Sequence, residues 1–213
     1  TANAVRMRIA LRIYKRNPEE AKAIVKEVLA SADIPASIDD SFIMYFDKLF
    51  TSGGDWHSVI DMDRASAPFM TYLKKYNDPR LNDFYSLNTD GSGETTALKY
   101  GDRPNSVELT TRMVSVAKLS PTDAVYFMSA AEVAFLQAEA YARLNDAAKA
   151  KEAYDQGVSL AFERWGYSAA DFVADGAPYA FNNTDLNSML TSILTQKWIA
   201  STRCQAWDAW FDI

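Results

Sequence analysis

The chain has 213 residues, room for one large domain or two small ones, and its 48% apolar and 13% aromatic content is ample for a packed core. A formal net charge of −6 and a sequence pI near 4.9 make the chain repel phosphate backbones, so nucleic acid is excluded as the natural partner. The single cysteine, Cys204, excludes an intramolecular disulfide, and no apolar run approaches the ~20 residues that a spanning helix needs.

Residues 2–16 form the first predicted helix, with Val5, Ile9 and Ile13 as its apolar stripe. Arg6, Arg8, Arg12, Lys15 and Arg16 crowd its other faces, and Arg6, Arg8 and Arg12 suit ion pairs to an acidic neighbour better than an anion site. Asn17 caps a second helix. Pro18 holds its first position, and Glu19 and Glu20 meet the positive helix end. Ala21, Ile24, Val25, Val28 and Leu29 then recur at spacings of three and four, so 2–31 reads as a helical hairpin.

Residues 32–127 read as a loop-rich insert. Short helices are expected at 38–50 (Ile38, Phe42, Tyr45, Phe46, Leu49) and 67–76 (Phe69, Met70, Tyr72, Leu73, Tyr76). The remainder is turn-rich, with Gly53-Gly54, Asp78-Pro79, Asp90-Gly91-Ser92-Gly93 and Arg103-Pro104-Asn105. A loose alternation over 107–117 is compatible with a strand. Long loops on a helical scaffold are a natural place for a binding surface.

The most informative stretch is 128–164. Ser129 and Glu132 stand at capping-box spacing, where each side chain can satisfy a backbone N–H of the first turn. The helix they open runs to Arg143; Asn145-Asp146 follows, then a second helix from Ala147 to Phe162. Ala138, Tyr141, Ala150, Tyr154 and Gly157 fall at the spacing of a tetratricopeptide-type hairpin. Lys22-Ala23 and Lys149-Ala150 occupy similar places in the two hairpins. Trp165-Gly166-Tyr167 ends the second hairpin, and a loop with a short helix near Ala169–Val173 follows. The last helix, within 184–213, starts at Asp185 with Leu186, Leu190, Ile193, Leu194 and Trp198 as its stripe. Trp165, Trp198, Trp207 and Trp210 lie in helical apolar contexts and read as core, and Cys204 reads as a buried structural thiol. The fold class is therefore mainly α: tetratricopeptide-like helical hairpins (an α-α superhelix) with long irregular loops, as a single helical domain over 1–213. The chain stops just after Trp207-Asp208-Ala209-Trp210-Phe211, an apolar end that suits a piece of a longer protein.

Four segments, in order, resemble the SusD/RagB family. Ala2-Asn3 with Arg6, Arg8, Ala10, Leu11 and Arg12 is similar to its early arginine-bearing helix, and Tyr72 to Leu81 carries its Asp-Pro-Arg-Leu element. Phe127 to Ala140 resembles the signature helix Glu-x-x-Phe/Leu-Leu-x-Ala-Glu-Ala that opens a tetratricopeptide hairpin. Ile193 to Ala200 followed by Gln205-Ala206-Trp207 is similar to the late helix. Family members are typically more than twice as long, begin with a lipidated cysteine and continue into an arginine run. Cys204 lies near the wrong end to be that cysteine. The resemblance implies a surface-exposed outer-membrane lipoprotein of a Bacteroidetes-type nutrient system, anchored by a lipid outside these residues. Such a protein binds glycans without catalysis, uses no cofactor, and delivers its cargo to a SusC-like TonB-dependent transporter.

Sugars bind by stacking C–H faces on aromatic rings while amides, carboxylates and arginines take the hydroxyls. Trp56, in Gly53-Gly54-Asp55-Trp56-His57, is the leading candidate, with Asp55 and His57 as flanking hydrogen-bonding groups. Tyr85, Tyr100 and Arg103 sit in or beside the second loop, and Tyr179 follows Ala177-Pro178. Each has a plainer reading as a ring that plugs its loop onto the scaffold.

Catalytic and metal patterns are sparse. His57 is the only histidine, and no His-Glu-x-x-His, phosphate-loop or Gly-x-Ser-x-Gly pattern occurs. Asn88 to Glu94 looks superficially like a calcium loop, yet Lys99 stands where the closing glutamate belongs. Asp61 and Asp63 carry no distance information as a glycosidase pair. Asp78-Pro79-Arg80 reads as structural, with the arginine bridging to a carboxylate or a helix end. The alternatives to a glycan binder are a tetratricopeptide adaptor for a protein segment and a glycoside hydrolase.

Overall fold

The computed structural model describes residues 2–31, 33–49, 64–88, 92–99, 101 and 114–211, without the side chains of Trp207 and Trp210. In chain order its elements are α1 (Ala2–Ile13), α2 (Pro18–Leu29), a 3-10 turn (Ile38–Asp40), β1 (Phe42–Met44), α3 (Ala67–Lys75), α4 (Leu81–Phe84), β2 (Val125–Met128), α5 (Ala130–Arg143), α6 (Ala147–Glu163), α7 (Ala170–Val173), α8 (Leu186–Ala200) and α9 (Ala206–Phe211). They divide into two compact units: Thr1–Met44 with Val125–Ile213, and Tyr45–Ala124.

In the first unit, the two hairpins that lie far apart in sequence share a core. Met7, Ala10 and Leu11 of α1 and Val25 and Val28 of α2 close on Leu136 and Ala140 of α5. The buried face of α1 is Ala4, Met7, Ala10 and Leu11, not the expected Val5–Ile9–Ile13 stripe; Ile9 is 54% exposed. Both stripes have helical spacing, and long-range ion pairs set the rotation. One Arg8 nitrogen (Nη2) lies 2.7 Å from each Glu132 carboxylate oxygen, and Arg8 also lies 3.4 Å from Asp208. Arg12 donates to Asp208 at 2.7 Å and Arg6 pairs with Glu27 at 2.9 Å, so these arginines do meet acidic neighbours. Burial raises the Glu132 carboxyl above its ordinary range even though Arg8 and Lys197 pull it down. The pair therefore fixes geometry more than it adds stability.

The capping box at the start of α5 is only half formed. Ser129 Oγ accepts the Glu132 N–H at 3.1 Å, but the Glu132 carboxylate is taken by Arg8. Asp146 caps α6 through the Lys149 N–H at 3.1 Å, and Asp185 caps α8 through the Ser188 N–H at 2.8 Å. The α5–α6 seam closes on Phe135, Tyr154 and Gly157. A Cβ on Gly157 would stand 2.9 Å from the Phe135 ring, so only glycine permits this approach. Ala150 is buried in the second hairpin while Ala23 is exposed in the first, so the matched Lys-Ala pairs are not equivalent in space. α8 buries Met189, Ile193, Gln196, Lys197 and Ile199. Its expected stripe is displaced, and Trp198 is 39% exposed rather than core. Two polar residues on the buried face, Gln196 and Lys197, disguised the periodicity.

The helix expected over 38–50 is absent among its described residues. A 3-10 turn precedes β1, which pairs antiparallel with β2 in the register Phe42↔Met128, Ile43↔Tyr126 and Met44↔Val125. This pairing draws residues up to Met44 into the helical unit, so the second unit starts later than the insert expected at 32.

The second unit is built on α3 and α4. Phe69, Met70 and Leu73 are buried on α3, with Phe69 packed 5.9 Å from Phe84 and 6.2 Å from Tyr85 between ring centroids. Arg80 is 1% exposed and forks onto Asp78, with Nε donating to Oδ1 at 2.9 Å and Nη2 to Oδ2 at 2.6 Å. Asp78-Pro79-Arg80 is thus a structural clamp. Among the described residues of this unit, isolated backbone bridges join Arg64 with Val116, Ser66 with Leu98 and Tyr85 with Ala117. The strand suggested for 107–117 is represented by two of these bridges; 107–113 lie outside the described residues.

Candidate ligand-binding surface

Of the residues nominated for sugar contact, Tyr85 and Tyr179 are described. Asp55, Trp56, His57, Tyr100 and Arg103 lie outside the described residues, as do Asp61 and Asp63. Tyr85 is described. It follows α4, bridges to Ala117 and sets its ring edge-on to Phe69. Burial pushes its phenol up to about 12, so the hydroxyl stays neutral at any physiological pH. A half-covered ring of this kind offers an edge and a hydroxyl to a ligand more readily than an open stacking face.

Beside it, Asn88 is buried and its Oδ1 accepts from Thr96 Oγ1 at 3.1 Å and Ser115 Oγ at 3.2 Å. Its N–H donates to the Glu94 carbonyl at 2.7 Å. The side chain that opens the calcium-loop-like sequence is therefore bonded to hydroxyls of its own unit. Among the described residues no group of His, Cys, Asp and Glu is arranged to hold a metal ion.

Tyr179 is 2% exposed and corrects one expectation. Its ring packs 5.4 Å from Phe172 and 6.4 Å from Phe162, and its carbonyl accepts the Tyr154 hydroxyl at 2.8 Å. The loop after α7 closes the helical core with this ring, which leaves no face for a sugar. Cys204 is half-buried, and burial pushes its thiol up to about 11, as suits an inert structural cysteine. Trp165 is half-buried, with the Arg164 and Arg203 guanidiniums 4.9 and 5.1 Å from its ring centre.

Sequence reasoning missed one exposed aromatic pair. Phe42 on β1 and Phe127 on β2 are both exposed, with centroids 5.0 Å apart. The only signal was period-two spacing in two short segments more than eighty residues apart, too brief to distinguish from a helix. No helix among the described residues is long and apolar enough to cross a membrane.

Comparison with known proteins completes the picture. The family model SusD-like_2, described as starch-binding associating with outer membrane, matches residues 1–212. A chitin-binding SusD homologue from Flavobacterium johnsoniae superposes with a TM-score of 0.82 at 25% identity, over 100% of this chain and 49% of that one. SusD homologues from Bacteroides uniformis and Bacteroides vulgatus give 0.81 at 24% and 0.79 at 21% identity. They cover 100% and 99% of this chain, and 50% and 48% of their own. The chain thus spans about half the length of the solved structures it matches. No curated protein is a significant match. With its helical hairpins, its polar-clamped second unit and a family match from end to end, the chain belongs to the SusD-like family.

Proposed function

We propose that this chain forms part of a non-catalytic glycan-binding protein at the outer-membrane surface. The observation that carries the reading is the match of residues 1–212 to a family described as starch-binding and associated with the outer membrane. The chitin-binding relative, superposable over this whole chain, supports a glycan as the ligand class. In this reading the helical unit is a rigid frame, and the second unit presents Trp56 with Asp55 and His57, and Tyr85 with Tyr100 and Arg103. Trp56 supplies a stacking face; the others supply hydrogen bonds to hydroxyls. Single-sugar contacts are individually weak, and a polymer gains by presenting many copies. A lipid anchor outside these residues would hold the protein at the surface, where a SusC-like TonB-dependent transporter receives the cargo.

The test is calorimetric titration with a panel of maltooligosaccharides, chitooligosaccharides and other plant and microbial glycans. Saturable binding to at least one class, with no release of reducing ends over days, is the expected outcome. Silence across the panel, or turnover of any member, overturns the reading.

A further inference from the structure

One concavity of the helical unit falls outside everything described so far. The C-terminal turn of α2 and the α5–α6 turn enclose an open groove of about 330 Å³. It is lined by Lys26, Leu29, Tyr141, Leu144, Asp146 and Lys149, together with Ala30. Sequence alone does not bring these residues together, because they come from two hairpins about a hundred residues apart that pack on a shared core of α1, α2 and α5.

Leu29 and Leu144 are half-buried at the rim of that core and give the groove an apolar floor. Lys149 is placed twice over: its ammonium sits 5.5 Å from the Tyr141 ring centre and 3.6 Å from Asp146 Oδ2. Asp146 is itself committed, since its Oδ1 caps α6 through the Lys149 N–H. Its charge therefore serves the helix start and Lys149 rather than Lys26. Lys26 reaches the groove from the other helix pair. The lining carries two ammonium groups and one carboxylate, a net positive spot on a chain whose formal charge is −6.

We propose that this groove is an accessory site for a single carboxylate-bearing sugar, a uronic acid unit of an acidic glycan. The proposal rests on the glycan-binding reading and adds a second site to it. The carboxylate lies between Lys26 and Lys149, where it accepts charge-assisted hydrogen bonds from the ammonium groups. The C–H face of the sugar rests on Leu29 and Leu144. A neutral sugar fits less well, because the Lys149 ammonium lies over the Tyr141 ring that would otherwise serve for stacking. The volume lies at the small end of ligand pockets, which suits one ring rather than an extended peptide with successive side-chain pockets.

The experiment is a titration of isotope-labelled protein with galacturonate and glucuronate oligomers, with neutral hexose oligomers and a glutamate-rich peptide as comparisons. Uronates should shift the amides of Lys26, Tyr141 and Lys149, and raising the salt concentration should weaken the effect. The double variant Lys26→Ala with Lys149→Ala should bind uronate at least about tenfold more weakly. The same variant should keep its affinity for whichever neutral glycan the main site takes. Equal response to neutral sugars, a stronger response to the peptide, or uronate binding unaffected by the double variant each overturns the accessory site. None of these outcomes touches the main reading, which fails if the wild-type protein binds no glycan or turns one over.

Discussion

The helical unit and the Tyr45–Ala124 unit are held together by different physics. In the former, apolar faces interlock along helices, as where Met7, Leu11, Val25 and Leu136 close one core. In the latter, short helices and irregular backbone are pinned by buried polar groups, with Arg80 forked onto Asp78 and Asn88 bonded to Thr96 and Ser115. A helical frame spreads its stability over many small contacts. A polar-clamped unit concentrates it in a few buried side chains.

The sharpest way to break the comparison is at the clamp. Arg80→Ala leaves Asp78 buried without its guanidinium and should destabilise the second unit by about 3–5 kcal/mol. Arg80→Lys should rescue little, because a single ammonium cannot reproduce the two-pronged contact. Hydrogen exchange will check this: protection should fall across residues 64–88 and persist in α5 and α6. A uniform loss across both units would show that the two are not energetically distinct.

Next in size is Gly157→Ala, where the new methyl would meet the Phe135 ring at 2.9 Å. Overpacking of this kind destabilises by roughly 1–3 kcal/mol, and Phe135→Leu in the same chain should recover part of it. Thermal unfolding of the single and double variants measures both effects. Ser129→Ala removes the α5 cap and a 3.2 Å hydrogen bond to Gln205, and should lower stability by about 1 kcal/mol in chemical denaturation.

The smallest effect concerns Tyr85, whose phenol is pushed up to about 12 by burial. The folded chain holds this proton more tightly than the unfolded chain does. Stability is therefore unaffected by this group below the ordinary tyrosine range, and falls as pH rises from about 10 towards 12. Tyr85→Phe should remove that part of the alkaline slope, which ultraviolet difference titration of both proteins will reveal.

Legibility in the sequence followed the same division. α2, α5 and α6 were readable because caps and apolar spacing are local: Pro18, Ser129 and Asp146 mark starts that the structure keeps. α1 was readable as a helix but not in its rotation, because Arg8 finds Glu132 across 124 positions. β1 was read as helix because its partner strand is far away in sequence and the local pattern is only three residues long. The buried fate of Tyr179 was hidden for a similar reason, since Phe162 and Phe172 reach it from α6 and α7. Among the site candidates, the sequence identified residue types suited to sugars, but which rings face solvent depends on tertiary contacts that no local pattern records.

The measurement that tests the central claim most directly is the paired behaviour of Trp56→Ala: glycan affinity by calorimetry and melting temperature by calorimetric scan, on the same preparation. Affinity lost by about tenfold or more with an unchanged melting temperature is the expected result, because stacking on one aromatic ring contributes strongly to binding. A melting temperature lowered by many degrees, or an affinity left intact, would contradict a rigid helical frame that presents loop-borne rings to a carbohydrate.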